Sequence, residues 1–133
     1  MKTVLITGAS SGLGFEFANI FAKEKYNLVL VARNEEKLKD VAKKLEKQYG
    51  IIVTIIPADL SDLDSAKKIY DKVIEKQIVI DCLVNNAGSG HHGLLANTDP
   101  DIAKNTINLN VTSLTLLTNY FIKIWLKGMK ERF

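Results

Sequence analysis

Residues able to do chemistry fall into a few short stretches of this chain. The first is Thr7-Gly8-Ala9-Ser10-Ser11-Gly12-Leu13-Gly14, which follows the apolar run Val4-Leu5-Ile6 directly. Glycine at the exit of a parallel strand has three uses. Gly8 permits a tight turn, Gly12 lets the backbone approach a pyrophosphate, and Gly14 lets the next helix pack close to the sheet. The free N–H groups and positive dipole end of that helix then face the anion. The spacing is Gly8-x3-Gly12-x-Gly14 and not the common G-x-G-x-x-G, so a glycine-rich turn without a ligand is the competing reading on spacing alone. The position of the loop favours the phosphate cradle: it follows a strand, precedes an amphipathic segment and opens a βαβ unit.

The other candidates are Arg33, Asp59-Leu60, Asn85-Asn86-Ala87-Gly88 and Asn110. Asn is a poor helix former, so an inward-facing Asn110 in a helix needs a reason, although Asn105, Asn108 and Asn119 in the same segment are open to an ordinary polar reading. His91 and His92 are adjacent, so their side chains diverge, and no metal-ligand spacing surrounds them. They read as a plain surface loop, with substrate contact as the alternative. No metal site is expected.

The elements that must position these residues can be read in order. Lys2–Thr7 is strand one. Helix one starts near Gly12, with Leu13, Phe17, Ile20 and Phe21 as its core stripe. Leu28–Ala32 is a continuous apolar strand, as befits one covered on both faces. A helix from about Glu35 to Gln48 buries Leu38, Val41, Ala42 and Leu45 and stops at Gly50. Its Glu35–Lys39 and Asp40–Lys44 spacings suit ion pairs on a solvated face. Strand three is Ile51–Ile56, closed by Pro57. Ser61, with Asp64 three residues on, is expected to cap a third helix carrying Ala66, Ile69, Tyr70 and Val73. Strand four is Val79–Val84, followed by a polar loop, Ser89 to Thr98. Asp99 as N-cap, Pro100 at N1 and Asp101 open a long fourth helix running to about Lys130.

Four βα units in succession predict an α/β fold of the Rossmann type: a three-layer, doubly wound parallel sheet in the order 3-2-1-4, with helices on both faces. A ligand crevice belongs at the switch between strands one and four. Gly8–Gly14, Arg33, Asp59 and Asn85–Gly88 all fall at the carboxyl ends of strands, and this convergence is stronger than any single motif.

Bulk properties agree with one domain, residues 1–133, of ordinary globular composition. The net charge of +3 comes from 18 basic and 15 acidic side chains mixed along helix faces, so no nucleic-acid footprint emerges. No apolar run reaches the length of a membrane span, because Lys123 and Lys127 interrupt the longest candidate. The single cysteine, Cys82, lies in an apolar strand and suggests a packing role in a reducing compartment. The chain starts in a core strand with no room for a signal peptide, so the cytoplasm is expected.

Taken together, Thr7-Gly8-Ala9-Ser10-Ser11-Gly12-Leu13-Gly14, Asp59-Leu60, Asn85-Asn86-Ala87-Gly88 and Leu109-Asn110-Val111 resemble, in order and spacing, the classical short-chain dehydrogenase/reductase family over its N-terminal half. The resemblance implies binding of NAD(H) or NADP(H) and hydride transfer between the nicotinamide and a carbonyl or alcohol carbon. It assigns cofactor contacts to Gly8, Ser10, Ser11, Gly12, Leu13, Gly14, Arg33, Asp59, Leu60, Asn86, Ala87 and Gly88. Asp59 would accept from the adenine amino group, though it also reads as a turn residue before Ser61. Asn86, Ala87 and Gly88 would line the ribose, and Asn85 would tie neighbouring strands together. Asn110 would hold a water in the proton relay. An acid closing strand two would select NAD. Ala32-Arg33 stands there instead, and Arg33 can pair with a 2′-phosphate or stack on adenine, so NADP is expected over NAD. A solvated loop arginine is the alternative.

In that family the catalytic serine and Tyr-x-x-x-Lys lie downstream of the Asn110 helix, on and after a fifth strand; this sequence ends at Phe133, before that strand, and no tyrosine here has lysine four residues on. Tyr120 and Lys123 are three apart. The sequence therefore reads as the cofactor-binding part of an NADP(H)-dependent oxidoreductase, truncated before strand five and without turnover alone. A non-catalytic NADP(H)-binding module and a partner-docking remnant are the alternatives. An apolar fourth helix and an unblunted strand four suggest that homo-oligomerisation could use either element.

Overall fold

Alternation along two central strands sets the architecture. In β1 (Thr3–Thr7) Val4 and Ile6 face one side and Leu5 the other. In β2 (Asn27–Ala32) Leu28 and Leu30 join the first side, Val29 and Val31 the second. All of them are buried, because strand side chains alternate and both faces of the sheet are covered. The computed structural model describes residues 1–89 and 93–132, so His91 and His92 lie outside the described residues. It has one parallel sheet in the predicted order β3-β2-β1-β4, with β3 at Val53–Pro57 and β4 at Cys82–Val84.

Helices α1 (Gly12–Lys23) and α2 (Glu35–Tyr49) cover the Val4–Ile6 face. Helices α3 (Ser65–Glu75) and α5 (Leu114–Arg132) cover the other, where Leu117 and Phe121 join Ile69 and Val73 in one apolar cluster and Tyr70 stacks on Tyr120 at 4.9 Å between ring centroids. In α2 the expected residues Leu38, Val41, Ala42 and Leu45 are buried. Asn34 caps that helix by accepting from the Lys37 N–H at 3.0 Å, and Gly50 closes it in the left-handed conformation, φ 68°. Asp99 caps α4 (Pro100–Ile107) as expected, accepting from the Asp101 N–H at 2.8 Å.

Several expectations need correction. The core stripe of α1 is Gly14, Ala18 and Ala22, not Leu13, Phe17, Ile20 and Phe21. Leu13 and Ile20 are exposed, while Phe17 and Phe21 are only partly buried at the flanks. Gly14 forces the helix so close to the sheet that only small side chains fit along the contact line, at i, i+4 and i+8. Strand three begins at Val53 because the Asn27 side chain accepts the Ile52 N–H at 2.9 Å. Strand four is cut to Cys82–Val84 because its first half is diverted. The Ile80 carbonyl accepts the Trp125 indole N–H at 2.7 Å, and the Asp81 carboxylate accepts the Thr3 N–H at 2.9 Å.

Ser61 does not cap α3, which starts at Ser65; its hydroxyl turns back to Asp59. The long fourth helix is not one α-helix. A π segment, Asn108–Ser113, separates α4 from α5. Ile107 and Leu114 are exposed in that rod, and its buried apolar residues are Leu117 and Phe121. On α2, Lys39 lies 3.8 Å from Glu35 and 3.5 Å from Glu36, but Lys44 sits over the Phe15 ring at 5.3 Å instead of pairing with Asp40.

The revised α1 stripe has a direct test in urea unfolding. Ala18→Leu should destabilise the fold by about 1–3 kcal/mol through overpacking, whereas Ile20→Lys should stay within about 0.5 kcal/mol.

Candidate functional site

The turn between β1 and α1 is built around a contact that no side chain could share. A Cβ on Gly14 would lie 1.9 Å from the Gly8 carbonyl oxygen, and one on Gly8 would meet the Asn86 amide nitrogen at 2.9 Å. Gly8 also has φ 64°, the left-handed region that glycine enters freely. Gly12 shares that conformation, φ 58°, but faces open space. Ser11 is the N-cap of α1 with extended backbone, and its side chain makes no cap hydrogen bond, so it leaves the first-turn N–H groups to another acceptor. The Ala9 N–H donates to the Val31 carbonyl at 3.2 Å and holds the turn against β2.

Thr7, at the end of β1, organises the opposite wall. Its buried Oγ1 accepts from the Asn86 N–H at 3.0 Å and the Ala87 N–H at 2.9 Å, so one hydroxyl fixes the turn that follows β4. The Asn86 Nδ2 donates to the Gly8 carbonyl at 3.2 Å. Asn86, and not Asn85, therefore joins the two strand ends. Asn85 instead donates to the Thr118 hydroxyl on α5 at 2.8 Å, because its side chain leaves the strand on the helix side.

Between these walls lies a groove of about 890 Å³ at the carboxyl ends of the strands. Of the expected residues, Gly8, Ser10, Ser11 and Arg33 line it together with Asp59, Leu60, Asn86, Ala87 and Gly88. Gly12, Leu13, Gly14 and Asn110 do not. Gly14 supports the turn from behind, while Gly12 and Leu13 are exposed at the opening of α1. Asn110 works at one remove. Its Oδ1 accepts the Ser89 N–H at 3.0 Å and its Nδ2 donates to the Ser89 carbonyl at 2.6 Å, as a neighbouring strand would. A Cβ on Gly88 would lie 2.8 Å from the same Oδ1, so a larger residue there would displace the Asn110 side chain from Ser89.

Five further residues contribute without having been expected at the site. Lys37 lines the groove near Arg33; its signal was the i+4 step from Arg33 across the Asn34 cap. Thr7 was signalled by a hydroxyl in the last position of an apolar strand. Ile102, Thr106 and Leu109 form a wall from α4 and the π segment, and only the folded arrangement brings them there.

Asp59 carries the clearest electrostatic perturbation at the site. Its Oδ1 accepts from the Ser61 hydroxyl at 2.7 Å and the Ser61 N–H at 3.0 Å. These bonds, the hydroxyl first, hold its carboxyl below the ordinary value; burial works against them, and the Arg33 guanidinium adds a smaller lowering. Asp59 is thus a firm carboxylate beside Arg33, suited to accept from an amino group.

Comparison with known proteins gives a consistent picture. The family described as short chain dehydrogenase matches residues 2–132. The uncharacterized oxidoreductase YmfI of Bacillus subtilis (strain 168) is 36% identical over 118 residues, which are 88% of this chain and 48% of the relative. An NADP-dependent 3-hydroxy acid dehydrogenase of Schizosaccharomyces pombe is 36% identical over 131 residues, 93% of this chain and 49% of the relative. Among solved structures, a short-chain dehydrogenase from Sphingobium yanoikuyae in complex with NADPH superposes with a TM-score of 0.90 at 34% identity, covering 96% of this chain and 50% of that one. The chain spans about half the length of these relatives.

Two outcomes follow from the site geometry. Gly14→Ala should cost about 3 kcal/mol or more, since backbone must shift, and Gly12→Ala about 1–2 kcal/mol for its left-handed φ alone; thermal or urea melts separate them. Because the folded pKa of Asp59 is depressed, its contribution to stability is present above the unfolded value of about 4 and lost as pH falls through the lower folded value. The stability gap between the parent chain and Asp59→Asn should therefore be largest near neutrality and shrink in acid, as read by urea unfolding at stepped pH.

Proposed function

The chain belongs to the short-chain dehydrogenase family, and from that premise we propose that it is the cofactor-binding part of an NADP(H)-dependent oxidoreductase acting on a carbonyl or alcohol carbon. The observation that carries this reading is the pair of cations, Arg33 and Lys37, lining the groove beyond the end of β2. A 2′-phosphate at that place meets two positive charges, one of them a planar guanidinium able to bond bidentately. Of the acids near them, Glu35 and Glu36 lie 3.8 and 3.5 Å from Lys39 on the exposed face of α2. Two of the similar proteins carry NADP or NADPH in their own descriptions, which supports NADP over NAD.

The residues fit such a cofactor. Gly8 and Gly14 are held glycine by their neighbours, while Gly12 leaves open space in front of an uncapped helix N-terminus; together they form a cradle for a pyrophosphate. Asp59 would accept from the adenine amino group and Leu60 would floor that pocket. Asn86, Ala87 and Gly88 would border the second ribose. When bound, the nicotinamide supplies or takes the hydride. Asn110 orders the wall that follows β4 through Ser89, and placement of a relay water beside it is part of the same proposal. A carbonyl reduction also needs a proton donor, which typically contributes about 10²–10⁴-fold. The Tyr-x-x-x-Lys that would serve is not among these 133 residues.

Titration of the 133-residue chain with NADPH and NADH by calorimetry tests the reading. NADPH should bind more tightly, and Arg33→Ala should weaken NADPH by about tenfold or more, the worth of a charged hydrogen bond, with little effect on NADH. Lys37→Ala should do the same more weakly. Equal affinity for the two cofactors would overturn the choice of NADP, and NADPH oxidation by this chain with a ketone would overturn the absence of turnover.

A further inference from the structure

Hydroxyls on the rod from α4 to α5 bond in two ways. Thr106 donates to the Ile102 carbonyl at 2.8 Å and Thr118 to the Leu114 carbonyl at 2.7 Å, each four residues back along its own helix, the ordinary use of a hydroxyl in mid-helix. Ser113 does not. It is fully buried, and its hydroxyl crosses to the Leu60 carbonyl on the other side of the groove floor.

We propose that Ser113 is a positioning residue: by gripping Leu60 it holds the π segment in the shape that aims Asn110 at Ser89, and so links the Asp59–Leu60 end of the groove to the loop after β4. The site it serves rests on the reading above; the mechanical link does not.

Two features of the structure support the link. A π turn inside an α-helix is rare and is found frequently at functional sites. This one is held from both sides, Asn110 by the Ser89 backbone and Ser113 by Leu60, with only two residues between them. Leu60 is also a firm post. The preceding Asp59 has its carboxylate bound by Ser61 and its carbonyl bound by the Ser65 hydroxyl at the start of α3. Leu109, in the same π segment, lines the groove together with Leu60 and Ser89. A ligand seated on Asp59 and Leu60 therefore presses on the post to which Ser113 is tied, and through it on the Ser89 clamp.

Amide hydrogen exchange on the 133-residue chain, followed by NMR, tests this without any ligand. In Ser113→Ala the Ser89 amide should exchange about tenfold faster, the worth of one buried hydrogen bond, while Ile6 and Leu30 in the central strands keep their rates. Ser113→Cys, which keeps the size and a weak donor, should restore part of the protection and serves as the test if the alanine variant does not fold. Unchanged exchange at Ser89, or the same acceleration at every amide, would overturn the proposal, the latter by giving Ser113 a merely structural role. Adenosine 2′,5′-bisphosphate then separates the two readings. It should slow Ser89 exchange in the parent chain and not in Ser113→Ala. An equal slowing in both would count against the link. Failure of this compound to bind the parent chain would count against the cofactor reading alone, since the ligand-free comparison still decides the role of Ser113.

Discussion

The structure depends on the approach of α1 to the end of β1, where Gly14 lies against the Gly8 carbonyl with no room for even one carbon between them. Everything near the groove is scaled to that contact. It brings the helix axis so near the sheet that Ala18 and Ala22 fill the rest of the interface, and it pushes the larger Leu13 and Ile20 outward. It also delivers the N-terminus of α1, with its unshared N–H groups, to the rim of the groove. A wider helix would still cover the apolar face of β1, but its dipole would point past the place where an anion can sit.

Around that contact the two halves of the groove are built by opposite means. The wall under Arg33, Lys37 and Asp59 is electrostatic: two cations face a carboxylate whose proton affinity is lowered by Ser61 and by Arg33. The wall after β4 is made of hydrogen bonds that imitate a sheet. Thr7 takes two N–H groups from the Asn86–Ala87 turn, and Asn110 pairs with the Ser89 backbone in both directions. Each device lets irregular backbone sit beside a groove with its polar groups bonded. The backbone fold that carries both walls is shared with the NADPH-bound short-chain dehydrogenase from Sphingobium yanoikuyae, half of whose chain this one covers.

Much of this was legible from residues alone. The glycine turn, the Asp99 cap, the Gly50 stop and the buried stripe of α2 follow from local rules that need no neighbour. Strand order followed from the βα repeat, because right-handed crossovers leave few ways to arrange four parallel strands. The misreadings share one cause, a local preference outbid by a distant partner. Ser61 is a plausible cap until Asp59 claims its hydroxyl. Val79 to Asp81 make a plausible strand until Trp125 takes the Ile80 carbonyl and the Asp81 side chain takes the Thr3 N–H. Leu13 and Ile20 make a plausible apolar stripe until the closeness of the sheet excludes them.

The sequence by itself determined the order of elements, the place of the crevice and the residue types at its rim, because periodicity, glycine φ freedom and capping act within a few residues. Tertiary structure alone decided which groups are joined around it: Thr7 with Asn86 and Ala87, Asn110 with Ser89, Ser113 with Leu60. These partners lie between 21 and 80 positions apart in the chain. No local rule carries information over that distance, and only the packing of the sheet against its helices brings such pairs within reach of a hydrogen bond.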